Sequence, residues 1–220
     1  MIRCHEVTKF YPVGDGVFAL QNVHLVVYPG EFVLLEGPSG SGKTTLLNIL
    51  GGIDRPSHGE VIMKGRKFSR MSEDDLALLR RKDLGFVFQF FNLIPELTAW
   101  ENIAFPLRIA GVPPSEIHER VGSLLSRLHL EGRANHYPIE LSGGEQQRVA
   151  IGRALAPKPS LILADEPTGN LDSKTAREVM ELFRDFNQRD GQTFIVASHA
   201  SEFEQYATRV VKLRDGRIVE

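Results

Sequence analysis

The sequence predicts an α/β fold in which a mostly parallel sheet is interrupted by a helical lobe. Short apolar runs alternate with helical patterns along most of the 220 residues, which is the rhythm of parallel strands joined by helices. From Phe90 to Pro157 no convincing strand pattern occurs, and apolar residues recur at helical spacing. We therefore expect one domain, 1–220, with a core formed by 1–89 and 158–220 and an inserted helical lobe at 90–157.

Composition restricts the class of protein. The hydrophobic share of 42% and the charged share of 25% are close to soluble globular averages. Lys and Arg number 26 against 28 Asp and Glu, and this net charge of −2 gives no sign of nucleic-acid binding. The sequence shows neither a signal-peptide pattern nor a run of about 18 apolar residues. The lone Cys4 excludes an internal disulfide and fits a reducing cytoplasm.

The first half of the chain is expected to include an antiparallel pair of strands. Val23–Tyr28 and Glu31–Glu36 are strand-like, and Pro29-Gly30 between them is a typical turn pair. Ser72 is a predicted N-cap, and the acidic residues after it suit the first turn of a helix. The other predicted elements are strand Ile2–Val7, helix Lys43–Leu50, strand Gly59–Met63, a helix from Ser72 to about Arg81, and strand Gly85–Phe88.

The second half begins with the helical lobe and then returns to strands. One helix face of the lobe is marked by apolar residues at helical spacing, namely Ile117, Val121, Leu124, Leu125 and Leu128. The later predicted elements are strand Leu161–Ala164, helix Lys174–Gln188, strand Thr193–Ala197 and a closing hairpin at Asp215-Gly216.

A phosphate-binding loop is the most specific motif. The segment 37–44, GPSGSGKT, fits the pattern G-x-x-x-x-G-K-[ST] in full. Glycines let backbone N–H groups approach phosphate oxygens, and the positive end of the following helix points to the same place. Lys43 is expected to reach the β- and γ-phosphates, and the Thr44 hydroxyl to bind Mg²⁺. The predicted nucleotide-binding residues of this segment are Gly37, Ser39, Gly40, Ser41, Gly42, Lys43, Thr44 and Thr45.

Polar residues also follow three other predicted strands. Asp165 is expected to hold Mg²⁺, directly or through water, and Glu166 to orient and deprotonate the attacking water. Gln89 suits a contact to Mg²⁺ or water, and His199 a hydrogen bond to the γ-phosphate. Because ligands of open α/β sheets bind beyond the carboxyl ends of strands, these residues are expected to share one site with the phosphate loop.

A second helix opens with Ser142, Gly143 and Gly144. Ser142 alone is a good N-cap, but the exposed N–H groups and the helix dipole also form a second anion site. One triphosphate needs only one loop to cradle it, so this second site could close on a nucleotide held by another copy of the chain. The simplest symmetric arrangement is a two-fold dimer in which each chain contributes to both sites.

In order and spacing these motifs resemble those of the ATP-binding cassette ATPases. The motifs are the phosphate loop, Gln89, LSGGE at 141–145, LILADE at 161–166, the NLD triplet at 170–172, and His199. The segments PTGNLDS at 167–173, ELTAWENIAFPL at 96–107 and LGGID at 50–54 look more narrowly like the lipoprotein-release and macrolide-export family, of which the cell-division ATPase is a close cousin.

This resemblance implies a P-loop NTPase core with an N-terminal antiparallel subdomain, and ATP with Mg²⁺ as ligands. It also implies that Tyr11 stacks on adenine, that Glu166 is the catalytic base and that Asp172 couples the two sites of a dimer. The sequence departs from the family at two positions. Glu145 stands where Gln is common, and its carboxylate is expected to point away from a triphosphate. Ala200 follows His199 where many relatives carry Asp.

The expected function is that of an ATPase subunit that drives a separate membrane permease or mechanical partner. Such a subunit lies at the cytoplasmic face of the cytoplasmic membrane. A DNA-repair or chromosome ATPase would carry a long coiled coil between Gln89 and Ser142, and a translation factor usually carries two cassettes. A non-transporting regulator of a transmembrane partner, as in the cell-division relative, shares the same ATPase chemistry, so that alternative stays open.

The apolar stretch from Phe90 to Trp100 has two interpretations. It is either buried as the hinge-side core of the helical lobe or partly exposed as a groove for a short partner helix. In the second interpretation Phe91 and Leu93 are expected to line the groove.

Overall fold

A computed structural model describes residues 2–12, 14 and 16–219, in which the strands form two sheets. The strands are Ile2–Tyr11 (β1), Val17–Val27 (β2), Phe32–Glu36 (β3), His58–Met63 (β4), Arg66–Lys67 (β5), Leu84–Phe88 (β6), Leu161–Asp165 (β7), Phe194–Ser198 (β8), Arg209–Arg214 (β9) and Arg217–Val219 (β10). The helices are Lys43–Leu50 (α1), Glu73–Asp83 (α2), Ala99–Ile109 (α3), Pro114–Arg127 (α4), Gly143–Leu155 (α5) and Ser173–Asp190 (α6). Short 3₁₀ turns lie at Phe68–Arg70, Glu131–Arg133, Pro138–Glu140 and Ser201–Tyr206.

The larger sheet has six strands in the order β10-β9-β3-β8-β7-β6. Its strands are parallel except β10, which returns from β9 through the predicted hairpin. Asp215 and Gly216 have φ angles of 49° and 73°, as a tight two-residue turn between antiparallel strands requires. The smaller sheet, β2-β1-β4-β5, is antiparallel. The predicted α/β fold class is therefore confirmed.

The Pro29-Gly30 turn does not join a hairpin, so that prediction is wrong. β2 pairs with β1 in the smaller sheet, whereas β3 lies between β8 and β9 in the larger one. Residues 32–35 are all fully buried, which is typical of a strand covered on both faces of a parallel sheet. The turn therefore carries the chain from one sheet to the other, and Gly30 takes a φ of 80° within it.

The predicted insertion is helical, as expected, and its helices α3, α4 and α5 pack against one another. The predicted apolar face is buried, with four of its residues on α4 and Leu128 directly after it. The division at 89/90 and 157/158 stays a prediction, and Met1 and Glu220, the ends of the expected domain, lie outside the described residues. None of the helices in the described part of the chain is long and apolar enough to cross a membrane.

Local sequence determines where helix α2 begins. The Ser72 side chain accepts the Asp75 N–H, and the Asp75 carboxylate accepts the Ser72 N–H, which together form a capping box. The helix runs to Asp83, two residues beyond the predicted end at Arg81. The chain then enters β6 directly, which brings Gln89 to the end of a buried strand.

The core on one face of the larger sheet is centred on three aromatic rings. Phe183 of α6 lies 5.1 Å from the Phe194 ring and 6.5 Å from the Phe32 ring, measured between centroids. All three side chains are fully buried. This cluster fixes α6 against β3 and β8, the two strands that lead into the candidate site.

Replacing Phe183 with Ala is expected to lower the free energy of unfolding by about 3–5 kcal/mol, since the change leaves a cavity in a dense core. The exposed Glu181 on the same helix is the matched control, and Glu181→Ala should change stability by less than about 0.5 kcal/mol. Urea unfolding followed by circular dichroism measures both. Equal effects of the two substitutions would contradict a core centred on Phe183.

Candidate nucleotide-binding site

Four loops meet at the carboxyl edge of four adjacent strands, β3, β8, β7 and β6. In the sheet register Glu36 pairs with Ser198, Asp165 pairs with Ala197, and Phe88 pairs with Asp165. The predicted phosphate loop, histidine, acidic pair and glutamine lie at or directly after these strand ends. The strand register therefore brings segments that are far apart in sequence to one edge of the sheet, where α/β folds bind ligands.

The phosphate loop is held close to neighbouring backbone by its glycines. A Cβ atom on Gly37 would overlap the Leu213 carbonyl oxygen, and one on Gly42 would overlap the Ala19 carbonyl oxygen. Gly42 has a φ of 106° and caps α1 without a side-chain hydrogen bond. The N–H groups of the first turn of α1 consequently have no side-chain acceptor at the cap, and this arrangement suits an anion.

The other predicted residues of the loop differ in exposure. Ser39 and Gly40 are exposed at its mouth, and Ser41 is buried beneath it. Thr44 is exposed, whereas Thr45 is half-buried on the next position of α1. The backbone at the mouth of the loop and Thr44 are therefore accessible.

Lys43 and Glu166 form an ion pair at the loop. The buried Lys43 ammonium donates hydrogen bonds to the carbonyl oxygens of Gly37 at 2.7 Å and Pro38 at 3.1 Å. It also lies 3.4 Å from Glu166 Oε1. The sheet therefore places a cation and a carboxylate at the mouth of the loop, where phosphate charge is expected.

Glu166 joins Lys43 to His199. Its second oxygen, Oε2, lies 3.0 Å from His199 Nδ1, and the imidazole is largely exposed. Glu166 has a φ of 45°, which is uncommon for a residue with a side chain and is found most often at functional sites. Three of the predicted site residues thus form one continuous chain of contacts.

Asp165 lies beneath this chain and is largely withdrawn from water. Burial raises the pKa of Asp165, the neighbouring Glu166 carboxylate raises it further, and a hydrogen bond from the Thr44 hydroxyl opposes both. Its Oδ1 atom is buried with no hydrogen-bond partner among the described residues. A buried carboxylate oxygen beside a hydroxyl is a donor set that a hard divalent cation prefers.

Gln89 is engaged with the loop that follows the acidic pair. Its Nε2 donates to Asn170 Oδ1 at 3.2 Å, and Asn170 Nδ2 donates back to the Gln89 carbonyl at 3.0 Å. Gly169 allows this approach, because a Cβ there would lie 2.8 Å from Gln89 Nε2. The partner role of Asn170 was not expected from sequence.

Asp172 is the N-cap of α6. It accepts hydrogen bonds from the N–H groups of Lys174 and Thr175 and from the Thr175 hydroxyl, and these bonds lower the pKa of Asp172. The carboxylate therefore has a structural task within one chain. Its implied role in coupling two sites of a dimer stays a prediction.

Tyr11 is a half-buried residue whose ring orientation is fixed. Its hydroxyl donates to Asp54 Oδ2 at 2.8 Å, and Lys9 Nζ donates to Asp54 Oδ1 at 2.6 Å. Burial and the Asp54 carboxylate together raise the pKa of Tyr11. Lys9 Nζ also lies 4.9 Å from the centre of the Tyr11 ring, and neither Lys9 nor Asp54 was predicted as part of the site.

The predicted second anion site lies at the start of α5. Ser142 caps the helix, and Gly144 packs so closely against Thr175 of α6 that a Cβ would overlap it. Glu145 points back along the chain, where it accepts the Ser142 N–H at 2.8 Å and the Arg133 Nε–H at 2.7 Å. That this carboxylate points away from a triphosphate stays a prediction.

Helix α5 also holds two loops of the site, through the half-buried Arg153 and the buried Gln147. Arg153 donates to the carbonyls of Phe91 at 3.0 Å and Asn92 at 2.6 Å, two successive residues with φ angles of 57° and 50°. Gln147 is fully buried and donates to the Pro167 carbonyl at 2.5 Å. Sequence patterns did not reveal these contacts, because both residues look like ordinary polar positions of a helix.

Comparison with known proteins supplies the family. The family model described as "ABC transporter" matches residues 20–169. The lipoprotein-releasing system ATP-binding protein LolD of Idiomarina loihiensis is 45% identical over 217 residues, covering 98% of this chain and 95% of that protein. The macrolide export ATP-binding/permease protein MacB of Marinobacter nauticus is 46% identical over 221 residues, covering 100% of this chain and 34% of that protein.

A solved structure matches along the whole chain. It is a dimeric, post-hydrolysis state of the ATP-binding cassette MJ0796 of Methanocaldococcus jannaschii, bound to ADP and Pi. The TM-score is 0.91 at 45% sequence identity, covering 100% of this chain and 97% of that one.

Gly42→Ala is expected to abolish binding of a fluorescent ATP analogue and to lower the free energy of unfolding by more than about 2 kcal/mol. The added Cβ combines an unfavourable φ with overlap of the Ala19 carbonyl. Gly65 provides the control, since its φ is 79° with open space around its Cβ position. Gly65→Ala should lower stability by roughly 1–2 kcal/mol and leave binding intact. Normal binding by the Gly42 variant would contradict the close-packed loop.

Proposed function

Because this chain belongs to the ABC transporter family of ATP-binding proteins, we propose that it dimerises around two MgATP and drives a separate membrane subunit. The chain is an ATPase of this family. The finer roles of its residues are part of the proposal, and the contact chain Lys43–Glu166–His199 beside the phosphate loop is the observation that carries it.

Glu166 is the general base of the proposed reaction. The oxygen of a water molecule forms a bond to the γ-phosphorus while the bond to the bridging oxygen of ADP breaks, and the water proton passes to the Glu166 carboxylate. His199, 3.0 Å from that carboxylate, orients it and reaches the γ-phosphate. Lys43 releases the Gly37 and Pro38 carbonyls and neutralises phosphate oxygens instead.

The oxygen groups of Thr44, Asp165 and Gln89 would hold the Mg²⁺ of MgATP. The unpartnered buried oxygen of Asp165 supports this assignment, because burial of a carboxylate without a partner is unfavourable. When bound, the cation neutralises the charge on the phosphates. Gln89 would use its Oε1 atom for this contact, because its Nε2 donates to Asn170 Oδ1.

The second copy of the chain completes each proposed site. The start of α5, with Ser142, Gly143 and Gly144, would receive the phosphates that the other copy's loop binds. In each copy Tyr11 would stack on the adenine of the nucleotide held by its own loop. Asp172 would couple the two sites. The dimeric state and the bound ADP and Pi of the similar cassette support this arrangement.

The membrane subunit is a separate chain of export or lipoprotein-release type, so this chain acts as a peripheral subunit at the cytoplasmic face of the membrane. The similarity to LolD and to the ATP-binding portion of MacB supports this part of the proposal. Leu93 and Trp100 pack against the core, as in the core interpretation, whereas Phe90 is 73% exposed. Neither Phe91 nor Leu93, the residues expected to line a partner groove, lines the groove found nearby. A groove of about 410 Å³ lies nearby, lined by Phe88, Phe105, Pro106, Ile109, Arg80, Arg81 and Arg153 among others.

This groove fits a short amphipathic helix of the membrane subunit that carries acidic residues. Phe105 and Ile109, exposed by 38% and 55%, provide an apolar floor for the helix, and three arginines at the groove complement acidic side chains. Arg153 lines the groove and also binds the turn that follows Gln89, so movement of that turn reaches the docked helix.

Glu166→Gln is expected to retain ATP binding and to slow hydrolysis by roughly 10²–10⁴-fold, because the amide cannot accept the proton. Loss of a negative charge beside the γ-phosphate should also make the ATP-bound dimer accumulate, as measured by gel filtration with MgATP. Glu178→Gln on α6 is the control, with an exposed carboxylate outside this site. A monomeric Glu166 variant that hydrolyses ATP at the wild-type rate would rule out the proposed base.

Ile109→Glu and Phe105→Glu are each expected to weaken binding to vesicles that contain the membrane subunit by more than about tenfold, because they place a charge in an apolar contact. Basal ATPase activity should stay within twofold of wild type, as the groove lies outside the catalytic contacts. Tyr28→Glu, at an equally exposed apolar residue beyond the end of β2, is the control. Binding is measured by co-sedimentation with the vesicles. If both groove variants co-sediment as the wild type does, the membrane subunit binds at another surface.

A further inference from the structure

Glu145 is fixed by two interactions at the start of α5, the helix that the LSGGE motif at 141–145 opens and that is called the signature helix here. Its Oε2 accepts the Ser142 N–H at 2.8 Å, and the Ser142 hydroxyl accepts the Glu145 N–H at 3.3 Å. Its Oε1 accepts Arg133 Nε–H at 2.7 Å. A full negative charge is therefore held within hydrogen-bond distance of Ser142, the first residue of the proposed phosphate-binding end.

This charge opposes the function proposed for the helix end. The N-terminus of a helix carries about half a positive charge, which one carboxylate more than cancels. Arg133 and Ser142 lower the pKa of Glu145 to about 2, so the carboxylate is ionised at neutral pH. Without a cation beside Glu145, the start of α5 would present net negative charge to a phosphate.

Two other helices show that this capping arrangement does not need a close arginine. In α3 the Glu101 carboxylate accepts the N–H and the hydroxyl of Thr98, and no ion pair is formed by Glu101 among the described residues. In α2 the nearest arginine contact of Asp75 is to Arg66 Nη2 at 3.9 Å. A tight arginine contact of 2.7 Å occurs where a phosphate is expected to bind, at α5.

We propose that Arg133 is a positioning residue of the ATPase, whose guanidinium neutralises Glu145 so that the start of α5 can accept the γ-phosphate held by a second copy of the chain. This inference rests on the proposed two-site dimer. Arg133 comes from the 3₁₀ turn Glu131–Arg133 of the helical lobe, and its side chain is 48% exposed. Exposed ion pairs add little to fold stability, so loss of the Arg133 charge is expected to leave the fold intact.

The test is a double-mutant cycle of Arg133→Gln and Glu145→Gln. In the protein that keeps Glu145, Arg133→Gln should lower kcat/KM for ATP by about 3- to 30-fold. It should also raise the MgATP concentration needed for half-maximal dimerisation by a similar factor. In the Glu145→Gln protein, the same Arg133 substitution should change both quantities by less than about twofold. The Arg133 effect should also shrink when salt is raised from about 50 mM to about 500 mM.

Arg189→Gln is the matched control, since it breaks an arginine–carboxylate pair of 2.6 Å on α6, away from the signature helix start. Thermal unfolding of every variant shows whether the fold is retained. An equal effect of Arg133→Gln in both backgrounds would make Arg133 merely structural, and no effect in the Glu145 protein would also overturn the inference. Failure of the wild-type chain to dimerise with MgATP would instead overturn the proposed dimer, so the two failures are distinguishable.

Discussion

The alignment of four parallel strands at one edge of the larger sheet is the constraint on which the rest of the site depends. Neighbouring parallel strands share a direction, so the segments that leave them emerge side by side. The acidic pair at the end of β7 consequently lies between the histidine after β8 and the glutamine after β6. A shift of one residue in any of these registers would turn each side chain of that strand to the opposite face of the sheet.

The site is held in shape by interactions that a phosphate can replace. Lys43 donates to two loop carbonyls and lies beside Glu166, so its charge is compensated while it stays at the mouth of the loop. Under the proposed function a triphosphate offers oxygens of higher negative charge at this place, where the loop and Lys43 already lie. Preorganisation of this kind lowers the entropic cost of binding.

Local signals were sufficient for much of the fold and of the site. The bounds of α1, Lys43–Leu50, follow from a glycine before the helix and two glycines after it, and they were predicted correctly. The Pro29-Gly30 turn was misread, because a turn pair shows only that the chain bends and not which sheet the next strand joins. Asn170 is separated from Gln89 by 81 residues, and no local pattern in one sequence encodes a contact of that range. Two further contacts are tertiary in the same way: Arg133 with Glu145, and Asp54 with Tyr11.

Helix α5 is attached by two side chains to two loops of the site. Ser142 lies at its tip, Gln147 holds the backbone after Glu166, and Arg153 holds the left-handed turn after Gln89. The last two anchors are six residues apart, or roughly 9 Å along the axis. Both anchors lie on one helix, so the loop after β7 and the turn after β6 are tied to the same rigid element. A displacement of α5 is therefore expected to move these two segments together with the Ser142 end of the helix.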